Sequence, residues 1–193
     1  RCRLAEGKWG LCQVRHNVGG VLKTTVYDHL IVANVDPIEK KPLYHVLPGS
    51  RSFSIATPGC NFHCRFCQNW QISQAPREGG SPRGQAITPQ QIVDLAIQHE
   101  CASISYTYTE PTIFFELAYD TAKLAHAAGL KNCFVSNGYM TEAAIDMIAP
   151  YLDAINVDLK AFRDETYRTI IGGQLEGVLA SLKALAAAGV WVE

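Results

Sequence analysis

Three cysteines within eight residues carry the clearest chemistry in this chain. They stand in Gly59-Cys60-Asn61-Phe62-His63-Cys64-Arg65-Phe66-Cys67-Gln68-Asn69, with spacing C-x3-C-x2-C. Three thiolates on one short loop can wrap a corner of an iron–sulfur cubane and hold three of its irons. Such clusters generally take four cysteine ligands. Three with no fourth nearby leave one iron open, by the logic that separates open catalytic zinc sites from closed structural ones. The bland alternative is a zinc site with His63 or a distant residue as fourth ligand. The usual mark of that site, two C-x2-C pairs, is absent.

The surrounding sequence must position that loop. Ser52 to Ala56 reads as a short strand, broken by Thr57-Pro58-Gly59 just before the cysteines. Residues 76–84, PREGGSPRG, read as a loop. Thr88 is a good N-cap, Pro89 suits the first helical position, and Ile92, Leu95 and Ala96 make an apolar stripe. Ser103 to Tyr108 reads as a strand, Ile113 to Ala128 as a helix stopped by Gly129, and Cys133 to Val135 as a strand core. Thr141 caps a helix to about Ala149, and Ala154 to Leu159 is the next strand. Gln174 to Ala188 is a helix with Leu175, Val178, Leu179, Leu182 and Leu185 on one face, and a further strand opens after Gly189.

This alternation gives about four βα units plus the start of a fifth strand, hence a parallel sheet in an α/β fold. The sheet is either a barrel or an open, doubly wound one. Each strand is followed by groups able to do chemistry: the cysteines, then Thr109 and Glu110, then Ser136 and Asn137, then Asp158 and Lys160. Active sites of parallel α/β folds lie at that rim, and the run of four favours a partial barrel.

Residues 1–50 form a separate N-terminal extension of β and irregular structure, before a core over 51–193. Val14 to Tyr27 holds two alternating stretches around Gly19-Gly20, a hairpin pattern. Asp36 to His45, DPIEKKPLYH, reads as an extended connector. Cys101 and Cys133 read as small buried hydrophobes, and His16, His29, His45, His99 and His126 as isolated side chains without a chemical role.

The chain has 193 residues, 48% of them apolar, 18% charged, with a formal net charge of -1. Near-neutrality argues against a nucleic-acid binder, and no apolar run is long enough to span a membrane. Seven cysteines, three of them clustered, suit metal ligation in the cytoplasm rather than a disulfide framework. The start at Arg1 and the strand-like end at Val190-Trp191-Val192-Glu193 read as cuts in a longer protein, with the core incomplete at its C-terminus.

C-x3-C-x2-C with Phe66 before the last cysteine resembles the radical S-adenosylmethionine (SAM) motif. The neighbouring stretches DPIEKKPLYHVLPGS, GCNFHCRFCQNWQISQ, YTEP, SNGY and NVDLKAF narrow the likeness. They resemble the radical SAM proteins of the AMMECR/Memo-associated system, a branch similar to pyruvate formate-lyase activating enzymes. The resemblance implies a [4Fe–4S] cluster on Cys60, Cys64 and Cys67, whose open iron chelates SAM. Reductive cleavage would then give a 5′-deoxyadenosyl radical that abstracts hydrogen from a substrate, in the activase case a protein. It further implies a flavodoxin- or ferredoxin-like reductant and Memo- or AMMECR-type partners. By the same likeness Phe66 lies near the adenine, against the alternative of a loop residue filling the core, and the backbone of Gln68 contacts SAM. Thr109-Glu110 takes the place of a GGE-type motif that binds the SAM amino group, although Tyr108-Thr109 replaces two glycines there. Glu110 also reads as favouring the positive end of the helix it precedes. Asp158 and Lys160 match an Asp-x-Lys that contacts SAM, against the alternative of a surface salt bridge at a strand end, and Ser136 and Asn137 would reach the ribose, against the alternative that Asn137-Gly138 is a common turn. The likeness also makes Cys2 and Cys12 a candidate second metal site, half of a small knuckle holding a second cluster or a structural zinc. The competing class is a non-catalytic iron–sulfur carrier or a zinc-stabilised binding module.

Overall fold

The computed structural model describes residues 2–80 and 84–193. Of the loop expected over 76–84, residues 81–83 lie outside the described residues. The chain opens with the expected hairpin, β1 (Arg15–Val18) and β2 (Val21–Thr24), antiparallel with Val18 opposite Val21. Gly19 and Gly20 turn it at φ 62° and 79°, positions that side chains rarely adopt. β3 (His29–Leu30) and β4 (Val32–Pro37) follow, then β5 (Arg51–Ala56), the short α1 (Trp70–Ser73), β6 (Gln85–Ala86) and α2 (Pro89–Gln98). β7 (Ser103–Tyr106), α3 (Phe115–Ala127), β8 (Lys131–Ser136), α4 (Glu142–Ile148) and β9 (Ala154–Val157) come next. The chain closes with α5 (Asp164–Thr166), a π-helical turn over Tyr167–Ile171, α6 (Leu175–Ala187) and β10 (Trp191–Val192).

The main sheet has the order β10-β9-β8-β7-β5-β4, and every pair is parallel except β4 with β5. A doubly wound sheet reverses its strand order at a switch point. Here the parallel strands run outward in one direction, so the crossover helices collect on one face and the fold is a partial, unclosed barrel. The outer face carries Phe53, Ile55, Ile104, Tyr106, Phe134 and Ile155, packed with Ile92, Leu117, Ile145 and Leu185 from α2, α3, α4 and α6 in one core. Burying each such side chain stabilises the fold by about 1.5–3 kcal/mol. The expected caps form: Thr88 and Gln91 make a reciprocal capping box, and Thr141 accepts from the Ala144 amide.

Two expectations need correction. The stretch 36–45 is not a plain connector. Asp36 and Pro37 finish β4, an antiparallel edge strand of the main sheet, and Ile38–Lys40 make a 3₁₀ turn. Residues 38–46 then form a strap across the inner face of the sheet, where Ile38 and Leu43 pack on Cys133 and Ala154. The inner row opposite the strap is built from small residues, Ser54, Ser105, Cys133 and Ala154, aligned by register. That row leaves room for a second layer of backbone. At the far end Pro42 accepts a hydrogen bond from Asn156, and the Glu193 carboxylate accepts from the amides of Tyr44 and His45 at 2.9 and 3.1 Å. The second correction concerns α6: Val178 and Leu185 are buried, but Leu179 is 41% exposed and turns away from the core.

Candidate functional site

The strands deliver their rim groups to one cavity of about 650 Å³. Its wall includes the three clustered cysteines, and also Phe66, Gln68, Thr109, Glu110, Ser136, Asn137, Asp158 and Lys160. All the rim residues picked out in the sequence thus meet in one place.

The cysteine loop is held from outside. The His63 and Arg65 amides donate to the carbonyls of Ile171 and Ile170 at 2.9 and 3.1 Å, so the loop lies along the end of the π-helical turn. Phe62 is the loop's anchor: it is buried and meets the rings of Tyr139 and Tyr167 at 5.0 and 6.1 Å. A Cβ on Gly173 would stand 2.3 Å from the Phe62 ring. The loop's far end is tied down by Asn69, which donates from Nδ2 to the Tyr108 carbonyl at 2.8 Å. None of these braces stood out in the sequence, although the Gly172-Gly173 pair after an apolar run was a visible hint.

The thiols suit cluster ligation by their surroundings. The Phe62 amide donates to Cys60 Sγ at 3.4 Å, and Asn137 Nδ2 approaches it at 3.8 Å. Cys67 Sγ is 3.3 Å from Ser73 Oγ. Donors aimed at sulfur stabilise a thiolate and tune an iron–sulfur cluster. Burial, helped by the Glu110 charge, pushes the Cys60 thiol up to about 12, and burial also raises Cys64. Among the described residues no three His, Cys, Asp or Glu groups converge to enclose a single metal ion.

Glu110 is fully buried with its carboxylate in a cage. Oε1 accepts from Thr112 N at 3.0 Å, from Thr112 Oγ1 at 2.5 Å and from Ser136 Oγ at 2.8 Å; Oε2 accepts from the Asn137 amide at 2.9 Å. The bond to Thr112 N makes Glu110 the cap of the turn Pro111–Phe114, the role read from its place before a helix. Burial raises its carboxyl above the ordinary value, against those hydrogen bonds. Glu110 lines the cavity. Ser136 and Asn137, expected at a ribose, have their side chains engaged inside the protein. Ser136 Oγ donates to Glu110 and accepts from Gly138 N, while Asn137 donates to Asn61 Oδ1 at 2.7 Å and accepts from Tyr139 N. Thr109 Oγ1 donates to the Thr57 carbonyl at 2.8 Å.

Asp158 and Lys160 form an ion pair at 2.8 Å just past β9. Burial works against the Lys160 charge, but Asp158 and the more distant anions raise its pKa overall. Phe66 is 56% exposed and faces the cavity; it does not fill the core. Tyr108, which replaces a glycine of the expected motif, adopts a left-handed φ of 61° as glycine would. Cys101 and Cys133 are buried, as read. Cys2 and Cys12 line a second cavity of about 220 Å³ between the N-terminal segment and the core.

The fold is a partial α/β barrel with a three-cysteine loop and a polar cavity at its rim. Residues 54–192 match the Radical SAM superfamily model, and the chain belongs to that superfamily. Its members are generally enzymes, and membership implies a [4Fe–4S] cluster and SAM. The chain is 41% identical over 192 residues to "Uncharacterized protein MJ0808" of Methanocaldococcus jannaschii, covering all of this chain and 56% of that protein. It is 27% identical over 117 residues to a "Probable GTP 3',8-cyclase" of Thermoplasma volcanium, 58% of this chain and 33% of that one. It therefore spans about half or less of the length of these relatives. Among solved structures, Streptococcus suis SuiB bound to precursor peptide SuiA superposes with TM-score 0.54 at 15% identity, over 69% of this chain and 29% of that one. Spore photoproduct lyase with a dinucleoside spore photoproduct gives 0.53 at 16%, over 82% and 46%. These likenesses bear on the fold alone. No single helix among the described residues is long and apolar enough to cross a membrane.

Proposed function

We propose that this chain carries the core of an enzyme that reductively cleaves SAM at a [4Fe–4S] cluster on Cys60, Cys64 and Cys67, yielding a 5′-deoxyadenosyl radical that abstracts hydrogen from a substrate. The observation that carries the reading is the single cavity bounded by the three cysteines, Glu110 and the Asp158–Lys160 pair. The cluster, when bound, supplies one electron to the sulfonium and an open iron for the amino and carboxylate groups of methionine. Around it, the Glu110 carboxylate would accept a hydrogen bond from the SAM amino group, an acceptor-only group facing an N–H donor. The Asp158–Lys160 pair and the Gln68 backbone hold other polar groups of SAM, and Phe66 lies against the adenine. Thr109, Ser136 and Asn137 keep Glu110 and the loop in register.

The stretches shared with the AMMECR/Memo-associated branch support an activase-like reading, with a protein substrate, a flavodoxin- or ferredoxin-like reductant and Memo- or AMMECR-type partners. The test is low-temperature EPR of anaerobically reconstituted, dithionite-reduced protein with and without SAM. The expected result is a [4Fe–4S]⁺ signal whose g-values move when SAM is added. A signal indifferent to SAM would point to an electron carrier or to a chain lacking part of its SAM pocket, which the same measurement on a longer chain would separate. Stoichiometric zinc with no cluster would overturn the reading in favour of a binding module.

A further inference from the structure

On the β4 side the cavity is walled by charges that neither the cysteine loop nor the turns after β8 and β9 supply. Asp36, at the end of β4, is 6% exposed. Its Oδ2 accepts from Lys41 Nζ at 2.6 Å and from the Tyr108 hydroxyl; its Oδ1 accepts from Lys40 Nζ at 2.8 Å. Lys40, Lys41 and Tyr108 all line the cavity. Lys41 is 1% exposed, and its ammonium lies 4.3 Å from the centre of the Tyr108 ring.

The charges do not balance. One carboxylate faces two ammoniums. Lys41, enclosed and also 3.3 Å from the Tyr108 hydroxyl, is sufficient to neutralise Asp36. Lys40 is surplus, with 57% of its side chain exposed. Nearby carboxylates are engaged elsewhere: Glu39 with the Gly49 amide, Glu110 in its own cage, Asp158 with Lys160. Among the described residues Asp36 is the only acid that pairs with Lys40. Lys40 Nζ also stands over the Tyr108 ring at 5.9 Å, and an ammonium has three donors, so capacity remains for a ligand. Asp36 keeps two donors if Lys40 swings away from it.

We infer that Lys40, backed by Lys41 and Tyr108, binds an anionic group of the substrate, a carboxylate or a phosphate, at the β4 side of the cavity. β5, β7 and β8 separate this wall from the Asp158–Lys160 pair beyond β9. SAM at the β7–β9 side and an anion at the β4 side would leave the substrate's reacting carbon between them. The inference rests on reading this cavity as the reaction site.

The test titrates the purified chain calorimetrically with inorganic phosphate and, separately, with acetate. It compares wild type with Lys40→Gln and Lys40→Arg, and repeats the wild-type titration on reconstituted protein with saturating SAM. Expected are saturable binding of one anion, at least about tenfold weaker in K40Q and within about threefold in K40R, and binding unaffected by SAM. Preference for phosphate would identify a phosphorylated substrate; preference for acetate, a carboxylate. The inference is overturned if neither anion binds, if K40Q binds as wild type does, or if SAM displaces the anion. Lys40 is exposed, so K40Q should unfold at the wild-type temperature. If the anion binds through Lys40 but SAM leaves the EPR signal unmoved, the SAM reading fails while the anion site stands.

Discussion

The imidazole of His63 occupies the space that a side chain on Gly172 would need. A Cβ there would lie 2.1 Å from His63 Cε1, and Gly172 sits at φ 90°. The cysteine loop thus closes on a backbone without side chains, more than a hundred positions further along the chain. Gly172→Ala should strain the turn and push the loop outward, and Gly173→Ala should do the same through Phe62. We expect each to cost about 1–3 kcal/mol in stability and to lower the iron-to-protein ratio after reconstitution. Normal iron loading in both variants would show that the brace does not set the loop.

Phe62→Ala removes the loop's one deeply buried ring. Truncations of this kind cost about 3–5 kcal/mol where the site cannot collapse. Denaturant unfolding of the metal-free chain should show that loss, and Phe66→Ala, at an exposed position, should change stability by less than about 1 kcal/mol. Equal effects would contradict the assignment of Phe62 as anchor.

Asp158→Asn should separate binding from folding. Asp158 is half exposed, so the ion pair with Lys160 contributes little, about 0–1 kcal/mol. The SAM-induced change in the EPR spectrum should nevertheless weaken sharply. A large drop in unfolding temperature with an unchanged SAM response would reverse this account.

Glu110→Gln replaces an acceptor with a group that is half donor, facing donors from Thr112, Ser136 and Asn137. SAM affinity should fall by about ten- to a hundredfold, the range for a lost charge-assisted bond. Equilibrium dialysis of SAM against the reconstituted variant would measure it.

Glu193 predicts an acid limb in stability. Burial acts to raise its carboxyl, but hydrogen bonds from Tyr44, Trp191 and His45 outweigh it and hold the pKa at about 2, below the usual 4.5 of a glutamate. A depressed folded-state pKa contributes stability that is present above about 4.5 and lost as pH falls towards 2. Metal-free protein should therefore lose stability across that window, and Glu193→Gln should flatten the loss. A loss of the same size in E193Q would assign the acid limb to other carboxylates.

The cysteine loop, its rim partners and the helix caps were legible because each depends on neighbours a few residues away. Thr88 and Gln91 cap within one turn, and C-x3-C-x2-C is a local spacing. The strap was not legible. Ile38 and Leu43 are scattered among lysines and prolines with no period, and Asp36 and Lys41 have the composition of a surface. Their burial follows from the small residues on β7, β8 and β9, which only the sheet's register brings beneath them. Leu179 was misplaced for a related reason: helical spacing gives a stripe but not its width. The brace at 170–173 depends on a contact across the whole core, which no local pattern encodes.

That brace also orders events in time. During synthesis the three cysteines leave the ribosome long before Ile170 and Gly173 exist, and chains emerge at about 5–20 residues per second. For several seconds the thiols have no seat to hold their geometry. Iron delivered in that interval would meet a loose tripeptide-like ligand set, open to oxidation and to the wrong metal. On the proposed reading, a cluster on Cys60, Cys64 and Cys67 would be inserted after the segment through Gly173 has folded, so that the supply of iron and sulfide would follow folding rather than guide it.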